Sequence, residues 1–488
     1  MLKRIIRDSS VYSLSGLLTS GISLLLVPLY TRVFSPGDYG VIDMLAIVTT
    51  LVNLTIALEV RQAIGRFALD TTDQGERKAY SSTALFFTVA VYVVFALVSI
   101  AASPWIGSLL LGSTGYAPLI AVNSLYILVF GIYSLLLVQL VYLSRPTRYT
   151  IVNLVYSGVS IGSTVLLVLV LKTGVIGVFY GLLAGGIAGC LLSFLYSRDA
   201  FALVFDPTRL REMLIFSIPL VPSSVGVFVS LYVDRMAINT LMTLADVGLY
   251  GIGYRFASIV GLLISATQLA VTPYIYAHYR EESTPRELAR TFRLFMAFGL
   301  FTLLCLGLFA DEILLVFTTP RYYGAADLIP FLVGSVLVSG LYIFAPGAWI
   351  VKRTKVITVI NLSVAVLNLA LNLLLIPLLG LIGAGLATLA SATVGFVVQF
   401  LISQRFYPLR YPWPRILASV VLVAVLLFMV NAISLPISPL GFVAKGVAAI
   451  TGTAVIALLL TSRGEISAGI GEIRGFLSLP GLTGNGRS

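Results

Sequence analysis

The chain has 488 residues, 59% of them hydrophobic and only 10% charged, with a mean hydropathy of +1.03. Soluble domains carry about 25% charged residues, so an ordinary cytosolic enzyme is excluded before any motif is read. The net charge of +11 would suggest nucleic acid in a soluble protein; in so apolar a chain it points instead to loops enriched in Lys and Arg on one side of a membrane, with no nucleic-acid partner.

A membrane-spanning helix needs about 20 apolar residues, and fourteen such segments follow one another along the chain. The basic start Met1–Ile6 precedes an apolar run of more than 20 residues with no small-residue cleavage site, so a retained first helix is expected at 9–34 rather than a removed signal peptide. Further spans are expected at 40–64, 81–103, 117–141, 150–171, 175–196, 213–240, 248–275, 290–317, 327–350, 357–377, 381–403, 415–432 and 441–461, with Pro219 and Pro222 kinking the seventh. The two cysteines, Cys190 and Cys305, lie in apolar runs, which excludes a disulfide scaffold.

With the N-terminus inside, 25 Lys and Arg residues fall on the inner side. Only Arg32, Lys172, Arg321 and Lys445 fall outside, while Arg235 and Arg255 lie within spans. An odd span count would destroy this asymmetry, so both termini are expected in the cytoplasm. The outer loops are too short to fold alone.

The chain repeats itself. Residues 174–198 align without gaps on 380–404, with nine of 25 positions identical. At an offset of 208, Asn153, Ser157, Ser160 and Thr164 fall on Asn361, Ala365, Asn368 and Asn372. Asp38-Tyr39-Gly40 matches Asp246-Val247-Gly248 loosely. The unit is six spans, and six is even, so the copies are parallel repeats of the kind transporters use to rock about a central substrate site. The expected fold is an all-α polytopic membrane protein with 14 transmembrane helices. A six-helix lobe at 1–212 and another at 213–406 surround a central cavity, followed by two extra helices at 407–462 and a cytoplasmic tail at 463–488.

Three segments carry a family resemblance: Val27–Gly40 (VPLYTRVFSPGDYG), the TTPRYYGAA stretch at 318–326 and Asn368–Thr388 (NLALNLLLIPLLGLIGAGLAT). Together they resemble the Wzx-type oligosaccharide-lipid flippases of bacterial polysaccharide and O-antigen assembly, members of the MOP superfamily. The resemblance implies translocation of an isoprenoid-diphosphate-linked oligosaccharide from the cytoplasmic to the outer leaflet of the inner (plasma) membrane. It implies no bound cofactor and, as further partners, the lipid bilayer and polysaccharide polymerase machinery. A peptidoglycan lipid-precursor flippase and a MATE-type multidrug or cation antiporter are the alternatives. A cationic drug wants carboxylates in the cavity, whereas the charges here are rich in arginine.

A charge near the bilayer centre costs at least about 2.5–3.5 kcal/mol and usually faces a cavity or a partner. Arg32, Asp43, Asp234, Arg235 and Arg255 lie toward the outer side, and Glu59, Arg61 and Arg66 toward the inner, all on spans 1, 2, 7 and 8 or at their ends. By the resemblance these spans line the cavity. Arg32, Arg61, Arg66, Arg235 and Arg255 are candidate diphosphate ligands, because a guanidinium offers a fixed fork of donors to paired oxygens. Against this stand snorkelling of Arg32, Arg61 and Arg66 to the interfaces and a local ion pair of Arg235 with Asp234.

Glu59 and Asp234 are candidate ion-coupling residues, or else neutralise nearby arginines. His278, the only histidine, reads as an interfacial residue. Polar faces on span 1 (Tyr12, Thr19, Ser23, Tyr30) and span 7 (Ser223, Ser230) are candidate glycan contacts, or else helix-packing residues. A phosphate-binding loop is absent, and one His with two separated Cys makes no metal site. Asp311 and Glu312, the only adjacent outer-half carboxylates, sit in a short loop, so a membrane enzyme is disfavoured.

Overall fold

A computed structural model describes residues 26–433 and 438–461. Among these residues there are helices and no strands, and thirteen helical segments are long and apolar enough to cross a membrane. They coincide with expected spans 2 to 14, running from Pro36–Ala68 to Pro439–Leu460. The chain is an all-helical polytopic membrane protein. Of expected span 1 only the end is described, as the helix Val27–Val33. The start of that span, with Tyr12, Thr19 and Ser23, lies outside the described residues, as does the 463–488 tail.

Local chemistry sets the helix ends. Span 2 opens with Ser35 and Asp38 in a reciprocal capping box and Pro36 in the first turn, which satisfies N–H groups that have no intrahelical partner. Asp73 and Asp206 cap the helices that begin at Gln74 and Pro207. Spans 5 and 6, and again 11 and 12, are joined at Gly174 and Gly380, which hold φ of 70° and 61°. These glycines are equivalent in the repeat, and left-handed backbone is what a residue without Cβ adopts cheaply.

Several spans depart from a plain helix, among them spans 7, 10 and 2. In span 7 a short 3₁₀ turn, Ile218–Leu220, separates Pro207–Ser217 from Val221–Leu241, at the expected prolines. Span 10 enters through a 3₁₀ stretch, Pro320–Leu328, before Ile329–Gly340. Span 2 is broken outright: one helix ends at Thr55 and the next begins at Val60. Between them Leu58 and Glu59 hold φ of 50° and 55°, a conformation that costs a non-glycine residue roughly 1–2 kcal/mol.

The chain divides into two compact units. The first holds the described residues up to Arg255, with Phe317–Ala325 and Asn361–Ser391. Small residues set its packing: a Cβ on Gly181 would stand 2.1 Å from Thr164 Oγ1, and one on Gly185 1.9 Å from Ser160 Oγ. Backbones in lipid approach this closely only where side chains are absent. The second unit holds Phe256–Val316, Ala326–Ile360 and the described residues from Ala392 onward. Its core includes an aromatic group in which Phe292 lies 4.3 Å from Tyr411 and 5.0 Å from Phe344. Lys445 of span 14, 3% exposed, reaches Glu312 at 2.8 Å and Asp311 at 3.5 Å.

Candidate functional site

All the candidate residues that are described belong to the first unit. Arg235 of span 7 is 4% exposed, with Nε 2.8 Å from Asp43 Oδ2 of span 2. Three tyrosines surround its guanidinium, with ring centres at 4.4 Å (Tyr254), 5.4 Å (Tyr250) and 5.6 Å (Tyr232). A cation over aromatic faces is stabilised most when water is excluded, so this charge is satisfied within the protein. Neighbouring Asp234, 2% exposed, faces elsewhere and accepts hydrogen bonds from the Tyr250 hydroxyl and, at 3.2 Å, from Thr388 Oγ1.

Arg255 sits on the same helix as Tyr250, Gly251 and Tyr254. It is half-buried, its guanidinium 5.4 Å from the centre of the Tyr39 ring. Tyr39 is fully buried and meets Tyr322 edge-on at 6.2 Å. Tyr30, 8% exposed, packs on Phe34. Two of the segments that carry the sequence resemblance meet here. Tyr322 donates to Phe34 O at 3.0 Å, Thr319 Oγ1 to Thr31 O at 3.1 Å, and Thr31 Oγ1 to Phe317 O at 3.2 Å.

Farther along span 2 the break presents Glu59. Its carboxylate, on a residue 6% exposed, accepts from Ser224 Oγ of span 7 at 2.5 Å and from Gln62 Nε2 at 3.1 Å. Arg61 turns the other way and donates to Ser134 Oγ of span 4 at 2.7 Å. Arg66 is exposed and pairs with Asp70 one turn on, and Arg32 is exposed at its helix end. The structure therefore brings Arg235 and Arg255 into one cluster with Asp43, Asp234 and Tyr39. Arg61 follows Glu59 on span 2 but is held by Ser134 of span 4, and Arg32 and Arg66 lie outside the cluster. Ser223 is exposed, and Ser230 bonds back to Gly226 O at 3.0 Å. His278 ends its helix stacked on Tyr274 in the second unit. No group of three or more metal-ligating side chains occurs among the described residues.

Sequence reasoning missed the tyrosine cage, Thr388 and Ser224. Part of the cage was readable: Tyr250 and Tyr254 are four residues apart and share a helix face, and Tyr232 precedes Arg235 by three.

Residues 29–327 match a family described as polysaccharide biosynthesis protein. The chain belongs to this family. No curated protein sequence matches it. Among solved structures, this polysaccharide biosynthesis protein resembles the lipid II flippase MurJ in an inward closed conformation. The TM-score is 0.71 at 15% identity, over 91% of this chain and 97% of that one. An inward-facing multidrug resistance MATE transporter of the MOP superfamily gives 0.60 at 15% identity, covering 82% and 97%. The Vibrio cholerae MATE transporter VcmN gives 0.54 at 16%, covering 83% and 96%. At such identities the likeness is one of fold alone. The Wzx-type resemblance read from the sequence agrees with family and fold alike.

Proposed function

We propose that this polysaccharide biosynthesis protein flips an isoprenoid-diphosphate-linked oligosaccharide from the cytoplasmic to the outer leaflet of the inner (plasma) membrane, for assembly of a surface polysaccharide such as O-antigen. The observation that carries the reading is the family match on an MOP fold, which supports a flippase role. The six-helix repeats at 1–212 and 213–406 would alternate access to a cavity between them, with both termini in the cytoplasm and spans 13 and 14 appended.

The diphosphate must leave water, and half-buried Arg255 offers it a charged fork at membrane depth. Arg61 would meet the same group near the inner end of span 2, and Arg32 and Arg66 at the two membrane faces. Arg235, enclosed by Asp43 and three tyrosines, supports the site from behind in the conformation seen here. Glu59 and Asp234, buried carboxylates held by hydroxyl donors, are the residues through which a proton or sodium ion would couple to transport.

Lipid analysis of a deletion strain tests the reading. Loss of one surface glycan together with build-up of one diphosphate-linked oligosaccharide on the cytoplasmic side is expected. An unchanged lipid pool with normal surface glycan would overturn it. The fold likeness to a lipid II flippase favours a second reading, a peptidoglycan lipid precursor as cargo, and accumulation of that precursor instead would select it.

A further inference from the structure

The first turns of spans 2 and 8 meet in a contact that obeys the internal repeat. A Cβ on Gly40 would stand 1.8 Å from Leu244 O and 3.2 Å from Gly248 N. Reciprocally, a Cβ on Gly248 would stand 2.0 Å from Pro36 O and 3.0 Å from Gly40 N. At the repeat offset of 208, Pro36 corresponds to Leu244 and Gly40 to Gly248, so each contact is the image of the other. The caps repeat as well. Ser35 Oγ donates to Asp38 Oδ2 at 2.7 Å and Asp38 N to Ser35 Oγ at 3.2 Å; Thr243 Oγ1 donates to Asp246 Oδ2 at 2.6 Å and Asp246 N to Thr243 Oγ1 at 3.3 Å.

One turn further in, the copies diverge. Asp43 corresponds to Gly251, and a Cβ on Gly251 would stand 3.1 Å from Asp43 Oδ2. Copy one supplies the carboxylate that holds Arg235, and copy two leaves the room for it.

We infer that the pseudo-twofold axis relating the two repeats passes between Gly40 and Gly248, and that this glycine contact is the seal that closes the substrate path at the outer face and must part to release the glycan lipid. The inference rests on the alternating-access reading above. Both partners are backbone, so the seal closes without a side-chain hydrogen bond of its own to make or break, and small residues allow the approach. Carbonyl carbon and oxygen cannot swing aside as a side-chain tip can. A methyl at either glycine therefore has to push the helix starts apart.

The test places spin labels at Val33→Cys and Leu241→Cys, repeat-equivalent positions 40% and 41% exposed beside the contact. Cys190 and Cys305 are replaced by serine and the protein is reconstituted in lipid vesicles. The parent should show a short-distance population. Gly40→Ala and Gly248→Ala should each cut it at least twofold and lower surface glycan per molecule in cells. Gly261→Ala on span 8, where a Cβ meets nothing within 4 Å, should change neither. Unchanged distances in both seal variants would overturn the inference. Should these variants fail to fold, Gly37→Cys with Ala245→Cys tests it without touching the glycines. A reducible bifunctional thiol reagent should arrest export reversibly, and normal export by the linked protein would overturn the seal. The distance measurement needs no substrate, so a shift seen without any glycan phenotype would count against the proposed cargo and leave the seal standing.

Discussion

Arg235 and Arg255 both read as candidate diphosphate ligands, with a local ion pair to Asp234 as the rival for Arg235 alone, and their surroundings differ. Arg235 is 4% exposed, with Asp43 and three aromatic faces around it, whereas Arg255 is only half-buried, with its guanidinium over the Tyr39 ring. If Arg255 holds the diphosphate, Arg255→Ala should abolish surface glycan while the protein still folds and inserts. Arg255→Lys should keep partial function, since the charge remains and the fork is lost. Glycan export normalised to membrane protein decides this, and a normal ratio in Arg255→Ala would leave it only a helix anchor. Coupling is tested at the carboxylates: Glu59→Gln and Asp234→Asn should lower ion-driven transport in vesicles. Normal transport by both, with loss in a His278 variant, would reverse the assignment. The sequence exposed the charges because each is costly in lipid. It could not show which partner each would take, because that depends on how each span is rotated about its axis, which the pattern of a nearly uniform apolar helix leaves open.

The same limit holds for whole elements. Asp311 and Glu312 read as an isolated carboxylate pair and Lys445 as an outside charge, yet Lys445 is buried against both. Span 14 of the appended pair is thus pinned to Ala310–Phe317, which follows the long helix Thr284–Leu308 as a short helix where a loop was expected for Asp311 and Glu312. Removing one member of a buried pair typically costs about 3–5 kcal/mol, while replacing both by apolar groups is often neutral. Glu312→Gln should therefore lower the unfolding midpoint in detergent, and Lys445→Met combined with Glu312→Leu should recover most of the loss. Equal midpoints for Glu312→Gln and the parent would show the pair to be incidental. Helix breaks were legible only where the chain supplies a breaker. Pro219 and Pro222 announced the turn in span 7, whereas the break in span 2 falls on Leu58 and Glu59, neither of which favours left-handed backbone.

At the scale of the whole molecule, the long succession of apolar segments made the fold class readable, because lipid admits so few architectures, and the resemblance of three segments made the family readable. The charge asymmetry also forecasts sidedness. Single cysteines at the exposed positions Gln74 and Glu282 should resist a membrane-impermeant thiol reagent added outside, and one at Ser113 should react; strong labelling at Gln74 would invert the topology. The glycine contact between spans 2 and 8 bears on how such a chain drifts after duplication. Each glycine faces the main chain of the other copy, which no mutation at the facing codon can reshape. An aligned set of homologues should then hold both columns nearly invariant while showing no covariation between them. Asp43 and Arg235, which touch through side chains, should instead be gained and lost together across the same set.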